Sequence, residues 1–119
     1  MRKYINDRVW SDYLLENICI DYENIILEVS FNEENVRLIC CNFIGIQYLG
    51  QWDENVIKKI TVYVDDEFCQ INREFVKKNN FVEIAGGGIR EFDKEWLHIV
   101  VELLDAVCIH IVCTDVRIS

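Results

Sequence analysis

The sequence predicts an α+β fold that is mostly antiparallel β: a meander plus a C-terminal hairpin, with one main helix at about residues 66–79. Three observations carry this expectation. Ile (17) and Val (13) make up 30 of the 119 residues, while Ala occurs only twice. β-Branched side chains suit a pleated, half-buried surface, and Ala is the best helix former. Apolar and polar residues alternate along much of the chain between short polar turns. One stretch, after Asp65-Asp66-Glu67, carries apolar residues at convincing helical spacing. There is no repeat, no low-complexity stretch and no linker, so 1–119 is expected to be a single domain.

The chain up to about Tyr13 reads as a short helix or turn carrying Trp10. Alternation begins with Ile18, Ile20 and Tyr22, then changes parity at Ile25, Leu27, Val29 and Phe31. Side chains alternate across a strand, so the register must return both sets to one face. A two-residue turn at Glu23-Asn24 does this and pairs Ile20 with Leu27 and Ile18 with Val29. A four-residue loop at Asn32-Glu33-Glu34-Asn35 then pairs Phe31 with Val36 and Leu27 with Cys40. These strands form an antiparallel meander over residues 14–50, with Gly45 marking a bulge.

Residues 56–64 form a further strand, or a helix in their first half, with Val56, Ile60, Val62 and Val64 on one face and Ile57 and Tyr63 on the other. In the helix, Asp is a good N-cap and acids suit the first turn. Phe68, Ile71, Phe75 and Val76 form its apolar stripe, and Asn79-Asn80 stops it after Lys77 and Lys78. Residues 81–84 read as a short strand and 85–95 as a loop. In the final hairpin a three-residue loop, Asp105-Ala106-Val107, pairs Leu103 with Ile109, Val101 with Ile111 and Ile99 with Cys113. That register sets Glu102 opposite His110 and leaves His98 facing Thr114. It asks Val107 for a positive φ that β-branched residues resist.

Charge and composition exclude several functions. Twelve Lys+Arg against 21 Asp+Glu give a net charge of -9, spread evenly: 6 basic and 10 acidic residues in 1–60, 6 and 11 in 61–119. Phosphate binding needs clustered Lys/Arg, so nucleic acid is not an expected partner, and neither is an anionic membrane surface. No apolar run approaches the roughly 20 residues of a spanning helix. The basic start Met1-Arg2-Lys3 lacks the apolar region of a signal peptide, so a cytoplasmic location is expected. The six cysteines show no C-x-x-C spacing, and in a reducing compartment they read as small buried hydrophobes.

Candidate chemistry is sparse. The two histidines, His98 and His110, read as half-exposed strand residues, and no ligand pair has zinc-site spacing. The Gly86-Gly87-Gly88 run lacks both phosphate-loop signatures and reads as a turn, although Arg90 beside it is a bidentate donor for a carboxylate. Acidic pairs at Glu33/Glu34, Asp53/Glu54 and Asp65/Asp66 fall in loops or at the helix start. No catalytic set, cofactor or metal site is expected. Two aromatic-acidic segments stand out: Gln51-Trp52-Asp53-Glu54-Asn55 and Phe92-Asp93-Lys94-Glu95-Trp96. Trp is a hot-spot residue at protein interfaces, and adjacent acids steer a basic partner. Trp52, Asp53, Glu54, Arg90, Asp93 and Trp96 are therefore the candidate partner-binding residues. The competing reading makes Trp52 and Trp96 caps on the edges of the core.

With Trp10-Ser11-Asp12 near the start and the Gly-Gly-Gly-Ile-Arg-Glu-Phe-Asp stretch at 86–93, this small acidic chain resembles the immunity proteins of bacterial polymorphic-toxin systems. It resembles equally the uncharacterised small bacterial domains found among them. The resemblance implies a protein that binds and blocks a toxin without catalysis of its own. Two other expectations stand beside it. One is a small-ligand-binding domain or enzyme with its site between the Trp52 and Trp96 loops and Arg90 as an anion clamp. The other is a structural subunit that forms a homodimer through an edge strand.

Overall fold

The computed structural model describes residues 1–49, 55–78 and 94–119. Their elements run in the order α1 (Arg2–Asp7), β1 (Leu14–Ile20), β2 (Asn24–Phe31), β3 (Glu34–Cys41), β4 (Gly45–Gln47), β5 (Ile57–Val64), α2 (Glu67–Lys78), β6 (Leu97–Leu103), β7 (Cys108–Cys113) and β8 (Asp115–Ile118). The fold is α+β with one main helix and two antiparallel sheets, ordered β1-β2-β3-β8 and β4-β7-β6-β5. The expected strand over 81–84, the Asn79-Asn80 stop and all but the last two residues of the expected loop over 85–95 lie outside the described residues.

The predicted faces of the hairpin strands hold, but the register of all three hairpins moves by two residues. Ile20 pairs with Ile25 and Ile18 with Leu27, and a bulge at Glu16 brings Leu15 opposite Val29. The cause is Asp21, whose carboxylate accepts the backbone N–H groups of Glu23 (2.9 Å) and Asn24 (2.6 Å). This side-chain turn makes the loop three residues long, 21–23, and leaves Tyr22 exposed. The second turn is shorter than expected. Asn32 (φ 48°) and Glu33 (φ 68°) form a two-residue turn of the mirror-image type favoured in hairpins, and Val29 pairs with Val36 and Leu27 with Leu38. In the last hairpin the positive φ falls on Ala106 (71°) rather than on Val107. Leu97 then pairs with Cys113, Ile99 with Ile111 and Val101 with Ile109.

The sheets are joined at two places. β3 with β4, and β7 with β8, are continuous runs that bend together from one sheet to the other. The Thr114 N–H donates to the Cys41 carbonyl (3.2 Å) and the Ile44 N–H to the Val112 carbonyl (2.7 Å) across the bend. The irregularity expected at Gly45 lies just before it, where Asn42 takes φ 51°; Gly45 itself pairs with Val112. The meander therefore ends at Cys41, and β4 belongs to the second sheet. At the second place Leu14 bridges Val56, and the Leu15 N–H donates to the Asn55 carbonyl (2.8 Å).

The main core fills the space between the sheets. Ile25, Leu27, Val29 and Leu38 of one sheet meet Ile60, Ile99, Val101 and Ile111 of the other, each at most 1% exposed. A bulge at Lys58 turns Ile57 inward with Ile60 and Val62, correcting the face expected for it. Cys40 and Cys113 lie in this core, Cys69 is buried elsewhere, and Cys19 is exposed; all six cysteines are free.

α1 closes the outer edge of β5. The Asn6 side chain donates to the Val62 carbonyl (3.0 Å) and accepts the Val62 N–H (2.6 Å), as a neighbouring strand would. Arg8 ties this end together, lying over the Trp10 ring at 4.7 Å and bonding Tyr13 and Glu34. α2 packs on the outer face of the second sheet. Its inward residues are Cys69 and Val76, with Asn72 and Arg73 half-buried between them. Ile71 (60%) and Phe75 (58%) are largely exposed, so only Phe68 and Val76 of the expected stripe turn inward. The inward stripe is half polar because it covers the two histidines.

Candidate functional site

Between α2 and the second sheet lies a second, smaller core: Cys69, Val76, Trp96 and Val112, with Ile44 and Phe68 against them. The two-residue shift in the last hairpin brings both histidines here. His98 pairs with Val112 and His110 with Val100, so the two rings are diagonal neighbours on one face. The expected pairing of His110 with Glu102, and of His98 with Thr114, does not form.

The start of α2 completes the arrangement. Asp66 caps the helix: its Oδ1 accepts the Cys69 N–H at 3.0 Å. Its other oxygen lies 2.7 Å from His98 Nδ1, and His98 Nε2 lies 2.9 Å from His110 Nδ1. The result is a three-member chain, Asp66–His98–His110, running from a helix cap across two strands. Phe68 covers it, its ring 4.2 Å from His98 at an interplanar angle of 17° and 5.1 Å from His110. His98 is only 5% exposed. Asp65, at φ 44°, supports the chain from behind: its carboxylate accepts from Arg73 (2.9 Å) and from the Trp96 N–H (3.1 Å).

The electrostatics follow from burial and from the chain. Burial pushes the Asp66 carboxyl up, but the hydrogen bonds from His98 and from Cys69 outweigh it, and the group ends below the ordinary aspartate value. Burial, reinforced by the neighbouring His98, lowers the His110 imidazole against the opposing pull of Asp66. The Cys69 thiol is pushed up to about 12 by burial and by Asp66, and it donates to the Trp96 carbonyl. Such a thiol is a packing group and not a nucleophile.

His110 opens onto a recess of about 210 Å³, also lined by Ile46 and Gln47 of β4 and by Phe68 and Asn72 of α2. Asn72 Nδ2 donates to the Phe68 carbonyl at 2.8 Å. Among the described residues nothing bonds His110 Nε2 or Asn72 Oδ1. Nor, among them, do three His, Cys, Asp or Glu side chains gather in a way that holds a metal ion.

A second recess, of about 320 Å³, opens between β1 and β4. Its lining includes Leu15, Glu16, Ile18, Ile20, Ile46 and Tyr48. Next to it in the chain, Tyr22 is 93% and Leu49 91% exposed. Among the described residues the outer edge of β1 beyond Leu15 has no backbone partner.

Of the candidates named from the sequence, Trp52, Asp53, Glu54, Arg90 and Asp93 lie outside the described residues. Trp96 is fully buried, with the Arg73 guanidinium 4.3 Å from its ring centroid, and so seals the second core. Asp66, His98, His110 and Phe68 were not singled out together from the sequence. The signal for them is Ala106: given the positive φ in place of Val107, the hairpin register puts the histidines side by side.

The described residues thus define an α+β protein of two joined antiparallel sheets, with a carboxylate–histidine–histidine chain beneath its main helix. Comparisons with protein-family models, with curated proteins and with solved structures find no match to the chain. No helix among the described residues is long and apolar enough to cross a membrane.

Proposed function

We propose that the protein is a non-enzymatic module that binds a partner protein with a basic surface, in the manner of an immunity protein neutralising a toxin. The observation that carries this reading is the open margin between β1 and β4. Exposed Ile20 lines a recess there with Ile18, Ile46 and Tyr48, exposed Tyr22 and Leu49 lie next to it in the chain, and the adjoining strand edge has no backbone partner among the described residues. Such patches mark interaction sites, and a free edge offers main-chain hydrogen bonds to an incoming strand. Glu16 in the lining and the net charge of -9 favour a basic partner by steering its approach. The histidine chain does not favour catalysis by covalent attack, because the thiol sharing Asp66 with it is locked as a donor. Six free cysteines suit a cytoplasmic setting.

The test is titration calorimetry of the purified protein with the product of the adjacent gene. A 1:1 complex at about 1 μM or tighter, weakened at least roughly tenfold by Ile20→Glu, supports the proposal. The absence of binding, or an Ile20→Glu variant that binds as tightly, overturns it. A concentration-dependent dimer without the partner, abolished by Ile20→Glu, instead assigns the β1 edge to self-association.

A further inference from the structure

We infer that the recess beside His110 is a socket for an organic cation carrying N–H donors, either a primary ammonium or a guanidinium group. The inference stands on this recess alone and is independent of the partner proposed for the β1–β4 margin.

The argument begins with proton placement. Asp66 is an acceptor when ionised, so His98 must donate to it from Nδ1 across the 2.7 Å contact. In a neutral His98 ring, Nε2 is then bare. The 2.9 Å contact to His110 Nδ1 needs one proton, and only His110 can supply it. With both rings neutral, each N–H of the chain therefore points toward Asp66. This leaves His110 Nε2, at the recess, as a bare lone pair. Aligned hydrogen bonds polarise one another, so the negative charge of Asp66 strengthens that distant acceptor.

The lining agrees with this polarity. Asn72 spends a donor on the Phe68 carbonyl, which leaves its Oδ1 as a second acceptor. Phe68 offers aromatic surface, which favours a cation. A volume of about 210 Å³ suits one alkylammonium or alkylguanidinium group rather than a large ligand. Burial and His98 hold the His110 imidazole below its ordinary value, which favours the acceptor form near neutrality. Among the described residues, the titratable and charged groups facing the pair are Asp66 at the start of α2, Asp65 with its Arg73 partner, Cys69, and Tyr63 of β5, whose ring lies 5.7 Å from His98. One proton added to the pair reverses the chain: His98 then donates to His110 Nδ1, Nε2 carries the proton, and the socket repels cations.

Asn in place of Asp66 has the same effect without acid. Its oxygen can keep the cap to Cys69, but its amide nitrogen then donates to His98 Nδ1. That forces both rings into the opposite tautomer.

The experiment uses the full chain labelled with 15N and long-range imidazole correlations near neutral pH. The expected result is a proton on Nδ1 of both His98 and His110. Butylammonium or methylguanidinium should then shift His110 Nε2 saturably, while tetramethylammonium, which has no N–H, should not. Asp66→Asn should keep the amide spectrum of a folded chain, move the His110 proton to Nε2, and weaken cation binding at least roughly tenfold. A Gly-Lys-Gly or Gly-Arg-Gly peptide distinguishes the sources: tighter binding of the peptide points to a side chain presented by a polypeptide, and equal binding to a free amine. A proton on His110 Nε2 in the wild type, a response to tetramethylammonium equal to that of butylammonium, or no saturable shift overturns the inference. None of these outcomes bears on the partner titration.

Discussion

Asp66 holds two structures at once, and replacing it by alanine and by asparagine separates them. Alanine removes the N-cap of α2, which costs about 1 kcal/mol. It also strips the acceptor from His98 Nδ1, on a ring only 5% exposed. A buried donor left unpaired costs about 1–3 kcal/mol. The expected loss for Asp66→Ala is therefore about 2–4 kcal/mol, a large share of the roughly 5–15 kcal/mol that holds such domains folded. For a chain of this size each kcal/mol lowers Tm by about 4 °C. Asparagine is as good a cap as aspartate and can pair with His98 in the opposite sense, so Asp66→Asn should lose only about 1 kcal/mol. Urea unfolding followed by tryptophan fluorescence near neutral pH measures both variants.

The pH dependence has a fixed sign. The Asp66 carboxyl is lowered in the folded state, so the unfolded chain takes up its proton first on acidification. The stability it contributes is complete above the ordinary aspartate value and is lost as pH falls through the lower folded value. His110 is also lowered, so the folded state resists its protonation too, and acidification through the ordinary histidine range costs further stability. The gap between wild type and Asp66→Ala should shrink as Asp66 itself is protonated. An alanine variant within about 0.5 kcal/mol of wild type refutes this account, as does an asparagine variant that loses as much as alanine.

Three further outcomes follow from the fold. Glu33 sits at φ 68° in a two-residue turn; Glu33→Gly should raise stability by about 0.5–1 kcal/mol in urea, because glycine takes this conformation freely. Asn6→Ala removes both hydrogen bonds that close β5 at Val62; a loss of about 1–2 kcal/mol is expected, with increased aggregation by light scattering. Alkylation of the native protein, read by mass spectrometry, should label exposed Cys19 first and spare Cys40, Cys69 and Cys113; early labelling of Cys69 contradicts its assigned burial.

The faces of the hairpin strands were legible from sequence, and their registers were not, for one physical reason. Side-chain alternation has a period of two, so a shift of two residues preserves every buried face and leaves no trace in the hydrophobic pattern. Only the turns distinguish the alternatives. Asp21, as a side-chain acceptor for Glu23 and Asn24, lengthens the first loop. Asn32 with Glu33 shortens the second, and Ala106 takes a conformation that Val107 resists. The helix shows a related ambiguity. Its most apolar stripe includes Ile71 and Phe75, yet Cys69, Asn72, Arg73 and Val76 face the sheet.

These differences decide where the candidate site falls. In the register drawn from the hydrophobic pattern, His110 faces Glu102, and the two histidines are unrelated strand residues. Moved by one turn residue, the hairpin sets His98 between Asp66 and His110. The polar stripe of α2 then has a purpose, because Phe68 and Asn72 lie over a histidine pair rather than an apolar sheet. An acid that looked sufficient as a helix cap thereby acquires a second role, since its remaining oxygen anchors the chain that ends at the recess. The functional reading of His110 thus depends on the backbone of Ala106, 4 residues away along the chain. A substitution there that forbids positive φ, such as Ala106→Val, should separate the two rings or unfold the hairpin. In either case the His98–His110 contact would be lost while Asp66 could still cap α2.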